Sequence, residues 1–166
     1  RKVSGISLDE ILDRKRSGDP MMMTERSEQF SRHRLLTAFA QVCLTVHYAH
    51  SRGVLHRDIK PSNIMILRDL AIGTKGSVKI LDFGIAKFAG VDEKTGLTAT
   101  GATIGTPHYM APEQIEQPAN VDHRADIYSL GVVFYEMIFG QSPFFAMSPA
   151  EIVQKIKTFS GANIPF

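Results

Sequence analysis

At 166 residues the chain is long enough for one domain with its own core, and 43% apolar with 22% charged residues is an ordinary soluble composition. A formal charge of +2 gives no sign of a polyanionic partner. The single cysteine, Cys43, excludes an internal disulfide and fits a reducing compartment, and the longest apolar run, Ile127 to Phe139, is too short for a membrane span and contains Ser129 and Glu136.

Arg1-Lys2 opens the chain without the apolar core of a secretion signal. With no initiator Met and an abrupt stop at Ile164-Pro165-Phe166, the sequence reads as a piece of something longer. Ser7-Leu8-Asp9-Glu10 predicts a capping box opening a short helix, with Leu8, Ile11 and Leu12 on its apolar face. Arg14 to Glu28 is polar, contains Gly18, Pro20 and Met21 to Met23, and most of it is expected to be a connecting loop whose methionines pack locally.

From Arg32 to Ala49-His50, Leu35, Leu36, Phe39, Val42, Cys43, Val46 and Ala49 recur at helical spacing, and Gly53 is the natural stop. Cys43 is expected in the core, while His47 and His50 should face solvent or cap the helix end. Ile64 to Leu67 and Val78 to Leu81 predict a hairpin around a surface turn that holds Gly73 and Gly76. Ala86 to Thr103 carries four threonines and no periodicity, which marks a long functional loop. Asp126 to Phe139 is apolar nearly all round and should be a central buried helix ended by Gly140 and Pro143. Ser148-Pro149-Ala150-Glu151 predicts a second capping box, with Ile152, Val153 and Ile156 following. The whole is expected to be mainly α with a small β-hairpin.

Between the second helix and the hairpin lies His56-Arg57-Asp58-Ile59-Lys60-Pro61-Ser62-Asn63-Ile64, which fits the pattern H-R-D-L-x-x-x-N except for Ile59. Asp82-Phe83-Gly84, then Gly105-Thr106-Pro107-His108-Tyr109-Met110-Ala111-Pro112-Glu113, then Asp126-Ile127-Tyr128-Ser129-Leu130-Gly131 follow in order. Together these motifs resemble the C-terminal lobe of eukaryotic-type protein kinases, and Tyr109-Met110-Ala111-Pro112-Glu113-Gln114 resembles the bacterial Ser/Thr type in particular. The resemblance implies that residues 1–166 are a partial kinase domain of α+β class. It would run from just after the hinge to about the helix termed αG in kinases, with the N-terminal lobe missing.

It also implies roles. Asp58 would accept the proton of the substrate hydroxyl, and Lys60 would place a cation on the transferring phosphate and mark serine/threonine specificity. Asn63 and Asp82 would hold Mg²⁺ and, with Met65, contribute to the ATP site; Val133 and Met137 would lie below the adenine. Thr106 would bridge Asp58 and Lys60. Thr98 and Thr100, with Thr95 and Thr103 behind them, would be activation-loop phosphorylation sites whose phosphate pairs with Arg57. His56 and Phe83 would stack in a hydrophobic spine, Gly84 completes its motif, and Asp126 would accept hydrogen bonds from the His56-Arg57 backbone. Glu113 would pair with an arginine beyond residue 166.

The expected function is therefore transfer of the γ-phosphate of ATP to protein serine or threonine hydroxyls, in the cytoplasm, with trans-autophosphorylation through a kinase dimer. Neither a nucleic-acid partner nor a membrane segment is expected. The 166 residues contain no G-x-G-x-x-G, strand lysine or partner glutamate, so the fragment is expected to be inactive alone. The alternative is a non-catalytic, kinase-like scaffold or regulator. A small-molecule phosphotransferase shares a His-x-Asp…Asn loop but lacks the Ala-Pro-Glu segment and long loop. Two departures stand out. Asp58 and Asp82 are 24 positions apart, longer than usual, and Ser62 stands where some relatives carry an acid that reads basic substrates.

Overall fold

A computed structural model describes residues 5–19, 30–67, 77–83 and 107–159. In chain order these form β1 (Gly5–Ser7), α1 (Leu8–Arg16), α2 (Arg32–His50), β2 (Ile64–Leu67) and β3 (Val78–Ile80). Then come α3 (Pro112–Glu116), α4 (His123–Phe139) and α5 (Pro149–Thr158). The methionines at 21–23, the turn over 68–76 and the long threonine-bearing loop lie outside the described residues.

Short polar side chains set the helix starts. Ser7 Oγ accepts the N–H of Glu10 at 3.1 Å, Asp122 accepts that of Arg124 at 2.9 Å, and Ser148 that of Glu151 at 3.3 Å. Only the serine half of each predicted box forms; in the first, the Glu10 carboxylate turns to Arg14 one turn on. The Asp122 cap starts α4 three residues earlier than its apolar pattern suggests. Gly53 and Gly140 adopt φ of 72° and 81°, the left-handed conformation in which they end α2 and α4.

The sheet has three antiparallel strands in the order β1-β2-β3, not the two-stranded hairpin expected. Ile6 pairs with Ile66, and Ile64 with Ile80. A Cβ on Gly5 would lie 3.1 Å from both the Ile66 carbonyl oxygen and Met65 Cε, so glycine permits the close approach of β1. The main core gathers Ile11, Val42, Ile59, Ile64, Ile66 and Val133, all at most 1% exposed. Cys43 is half-buried against this core rather than inside it, and burial pushes its thiol pKa up, which keeps it inert. A smaller cluster of Val132, Phe144, Ile152 and Ile156 seats α5.

α4 departs most from expectation. Ile127 is 54% and Phe134 42% exposed, while the buried face carries Asp126, Ser129 and Glu136 together with Val133. Spacing of three, seven and ten residues from Asp126 puts these four on one side of the helix. Among the described residues no helix is long and apolar enough to cross a membrane.

Candidate active site

The loop from His56 to Asn63 runs from the end of α2 to the start of β2, and α4 holds it by its backbone. Asp126 Oδ2 accepts the His56 N–H at 2.8 Å and Oδ1 accepts the Arg57 N–H at 2.7 Å, the contacts expected of this residue. Asp126 is 1% exposed, so these bonds form where water does not compete. On the other side of Arg57, its carbonyl accepts from Gln114 Nε2 at 2.9 Å, and Gln114 Oε1 takes the Ala111 N–H at 3.0 Å. Pinned on both sides, Arg57 sits at φ 64°, a left-handed backbone that only strong local constraints sustain for such a residue.

His56 is 1% exposed and ties this loop to the segment after β3. Its Nε2 lies 2.9 Å from the Leu81 carbonyl, and its Nδ1 accepts the Asp58 N–H at 3.3 Å. A carbonyl can only accept and an N–H can only donate, so the Nε2–H tautomer satisfies both contacts. The His56 and Phe83 rings meet with centroids 4.7 Å apart, tilted at 51° rather than stacked flat. Asp82, between Leu81 and Phe83, is exposed and has φ 52°, the second left-handed non-glycine residue among those described.

The polar groups converge at Asp58. Its Oδ2 lies 3.1 Å from Lys60 Nζ and 3.2 Å from Asn63 Nδ2, which also donates to the Asp58 carbonyl at 2.8 Å. Asn63 is buried at 7% exposure in the turn Pro61–Asn63, and its carbonyl takes the Leu81 N–H at 2.8 Å. With the amide nitrogen committed to Asp58, no donor among the described residues bonds the Asn63 side-chain oxygen. The β2–β3 register thus carries Asn63 and Asp82 to the same end of the sheet.

Other expected positions fare differently. Met65 is half-buried beside Gly5, Met137 packs against the core, and Val133 is fully enclosed in it. Glu113 is half-buried in α3 with no ion-pair partner among the described residues. Gly84, Thr95, Thr98, Thr100, Thr103 and Thr106 lie outside the described residues. No cluster of three His, Cys, Asp or Glu able to hold a metal occurs among the described residues.

Sequence reasoning missed several participants. His50, expected at the surface or as a cap, bonds Asp126 Oδ2 through Nε2 at 2.7 Å and meets His123 edge-on. Glu136 accepts the Tyr109 hydroxyl at 2.6 Å and faces Arg16 Nη1 at 3.1 Å. Burial raises the Glu136 pKa, against the opposing pull of Tyr109 and Arg16, and burial likewise pushes the Tyr109 phenol far up. The available signal was a charged residue inside an apolar run, which is rarely buried unless paired.

A profile of the protein kinase domain matches residues 10–162, and the chain belongs to that family. Among bacterial relatives, the serine/threonine-protein kinase PknB of Mycobacterium leprae is 42% identical over 113 residues, 68% of this chain and 17% of that protein. The serine/threonine-protein kinase Pkn1 of Myxococcus xanthus is 46% identical over 110 residues, 66% of this chain and 15% of the relative. A probable serine/threonine-protein kinase of Clostridium acetobutylicum is 39% identical over 133 residues, covering 80% and 18%. The chain thus spans less than a fifth of the length of these relatives.

Proposed function

We propose that the whole protein is a serine/threonine kinase that transfers the γ-phosphate of ATP to protein hydroxyls, and that these residues form the lower half of its active site. One observation carries this reading. Asp58, Lys60 and Asn63 converge within 3.2 Å on a strained loop that His56 ties to the segment bearing Asp82. Phosphoryl transfer asks the protein for positioning and charge neutralisation more than for covalent chemistry.

Asp58 is the group that orients the substrate hydroxyl and takes its proton, and Lys60 holds the carboxylate in place while offering its ammonium to the phosphate. The donor set suits Mg²⁺: an amide oxygen at Asn63 that no donor among the described residues bonds and an exposed carboxylate at Asp82 are hard ligands, and this ion needs few protein groups. Bound Mg²⁺ and ATP would supply the phosphoryl group and balance its charge. The scaffold alternative gains no support from a site in which Asp58, Lys60 and Asn63 on the loop and Asp82 after β3 are all present.

Asp58→Asn in the full-length protein tests the assignment. It should lower kcat by about 10²–10⁴-fold with little change in melting temperature, since the amide can still meet Lys60 and Asn63 sterically. Near-normal phosphorylation of protein by this variant would remove Asp58 from the role of base.

A further inference from the structure

Gln114 is the third residue of α3, and its half-buried side chain commits both ends of its amide to backbone. Oε1 accepts the N–H of Ala111, the residue just before the helix, at 3.0 Å. Nε2 donates to the carbonyl of Arg57 at 2.9 Å, 57 positions away in the chain. One side chain thus clamps the start of α3 to the residue that precedes Asp58.

The two contacts ask for different chemistry. The first is the reach-back half of a capping box, where glutamate serves as well as glutamine. A negative charge in the first turn would also suit the helix dipole. The second needs a donor, because a carbonyl can only accept and an ionised carboxylate has no proton to give. Capping alone leaves glutamine and glutamate equivalent at position 114, and the contact with Arg57 separates them.

The Arg57 carbonyl shares its peptide unit with the N–H of Asp58, which His56 Nδ1 accepts at 3.3 Å. Both polar atoms of that unit are therefore held, the oxygen by Gln114 and the N–H by His56. Arg57 has φ 64°, so no regular helix or strand fixes the plane at this point. The orientation of the plane sets the direction in which the Asp58 side chain leaves the backbone.

We propose that Gln114 is a positioning residue for phosphoryl transfer: it holds the Arg57–Asp58 peptide plane, aims the Asp58 carboxylate, and makes that aim depend on where α3 sits. The inference rests on the kinase reading, which makes Asp58 the base.

The experiment compares Gln114→Glu and Gln114→Met in the full-length protein. Glutamate keeps the acceptor for Ala111 and removes the donor to Arg57, whereas methionine keeps the length and removes both. Each should lower kcat per folded molecule by about 10–100-fold, the scale of a base misplaced by a fraction of an ångström to an ångström. KM for ATP and for a threonine peptide should change less than about threefold, because the aim of the base matters in the transition state and not in substrate binding. Amides of residues 56–63 should exchange with deuterium faster in both variants than in the wild type. Wild-type kcat in the folded glutamate variant would overturn the proposal, since Gln114 would then be a cap and nothing more. A loss of kcat no larger than the loss of folded protein would overturn it too, as would a raised KM with unchanged kcat. If the glutamate variant does not fold, the methionine variant decides on the same criteria. The kinase reading fails separately, by absence of phosphate transfer from the wild-type protein, and faster exchange over 56–63 in the variants would still identify the clamp.

Discussion

The two ends of α4 each bury a carboxylate, and each uses it differently. Asp126, 1% exposed near the N-terminal end, receives two backbone N–H groups of the loop that leads into Asp58. Glu136, 3% exposed near the C-terminal end, receives two side chains, one from α1 and one from the turn Pro107–Tyr109. Backbone donors are present whatever residue fills the loop, so the first end fixes a path for the chain. Side-chain donors exist only while Arg16 and Tyr109 do, so the second end can change character residue by residue. A conformation is built at one end and a set of side-chain contacts at the other.

The sharpest way to break this comparison is Asp126→Ala. It strands two N–H groups and the His50 ring in a buried site and should cost roughly 3–5 kcal/mol, read by urea denaturation of the full-length protein. The proposed kinase activity should collapse too, because Arg57 at φ 64° loses the contact of its N–H with Asp126. A loss below about 1 kcal/mol would mean that the loop holds its path unaided.

Tyr109→Phe is milder. It keeps the ring packed while removing one charge-assisted hydrogen bond from Glu136, so about 1.5–3 kcal/mol is expected from the same measurement. An effect as large as that of Asp126→Ala would erase the distinction between the two ends.

What could be read from the sequence follows the same division. α2 and α4 were legible because apolar periodicity and the glycines at 53 and 140 are local signals. The Asp126 contact was legible only through the order of motifs, since its partners lie 70 and 69 positions away. β1 was illegible because three residues are too few for an alternation to stand out, and its pairing depends on the absent side chain of Gly5. Arg16 meets Glu136 across 120 positions, and Gln114 meets Arg57 across 57, with no periodicity to announce either. The apolar reading of α4 failed for a physical reason: hydropathy counts residues, and three buried polar side chains on one face were outweighed by exposed Ile127 and Phe134.

The smallest stability effect is expected at Glu136→Gln, and its pH dependence makes it the most discriminating. Burial raises the Glu136 pKa above the ordinary 4.5 despite Arg16 and Tyr109, so the ionised form carries a net penalty in the folded protein. Just above pH 4.5 the folded chain keeps a proton that the unfolded chain has released, and stability falls as pH rises through that window. Glutamine keeps the shape and an acceptor for Tyr109 without the charge, so the variant should lie within about 1 kcal/mol of wild type at neutral pH. Its stability should also decline less with pH from 4.5 upward. Two parallel pH–stability curves would show that Glu136 meets no net penalty. Arg16 would then be a full counter-charge, and the C-terminal end of α4 would be as firmly fixed as the end that carries Asp126.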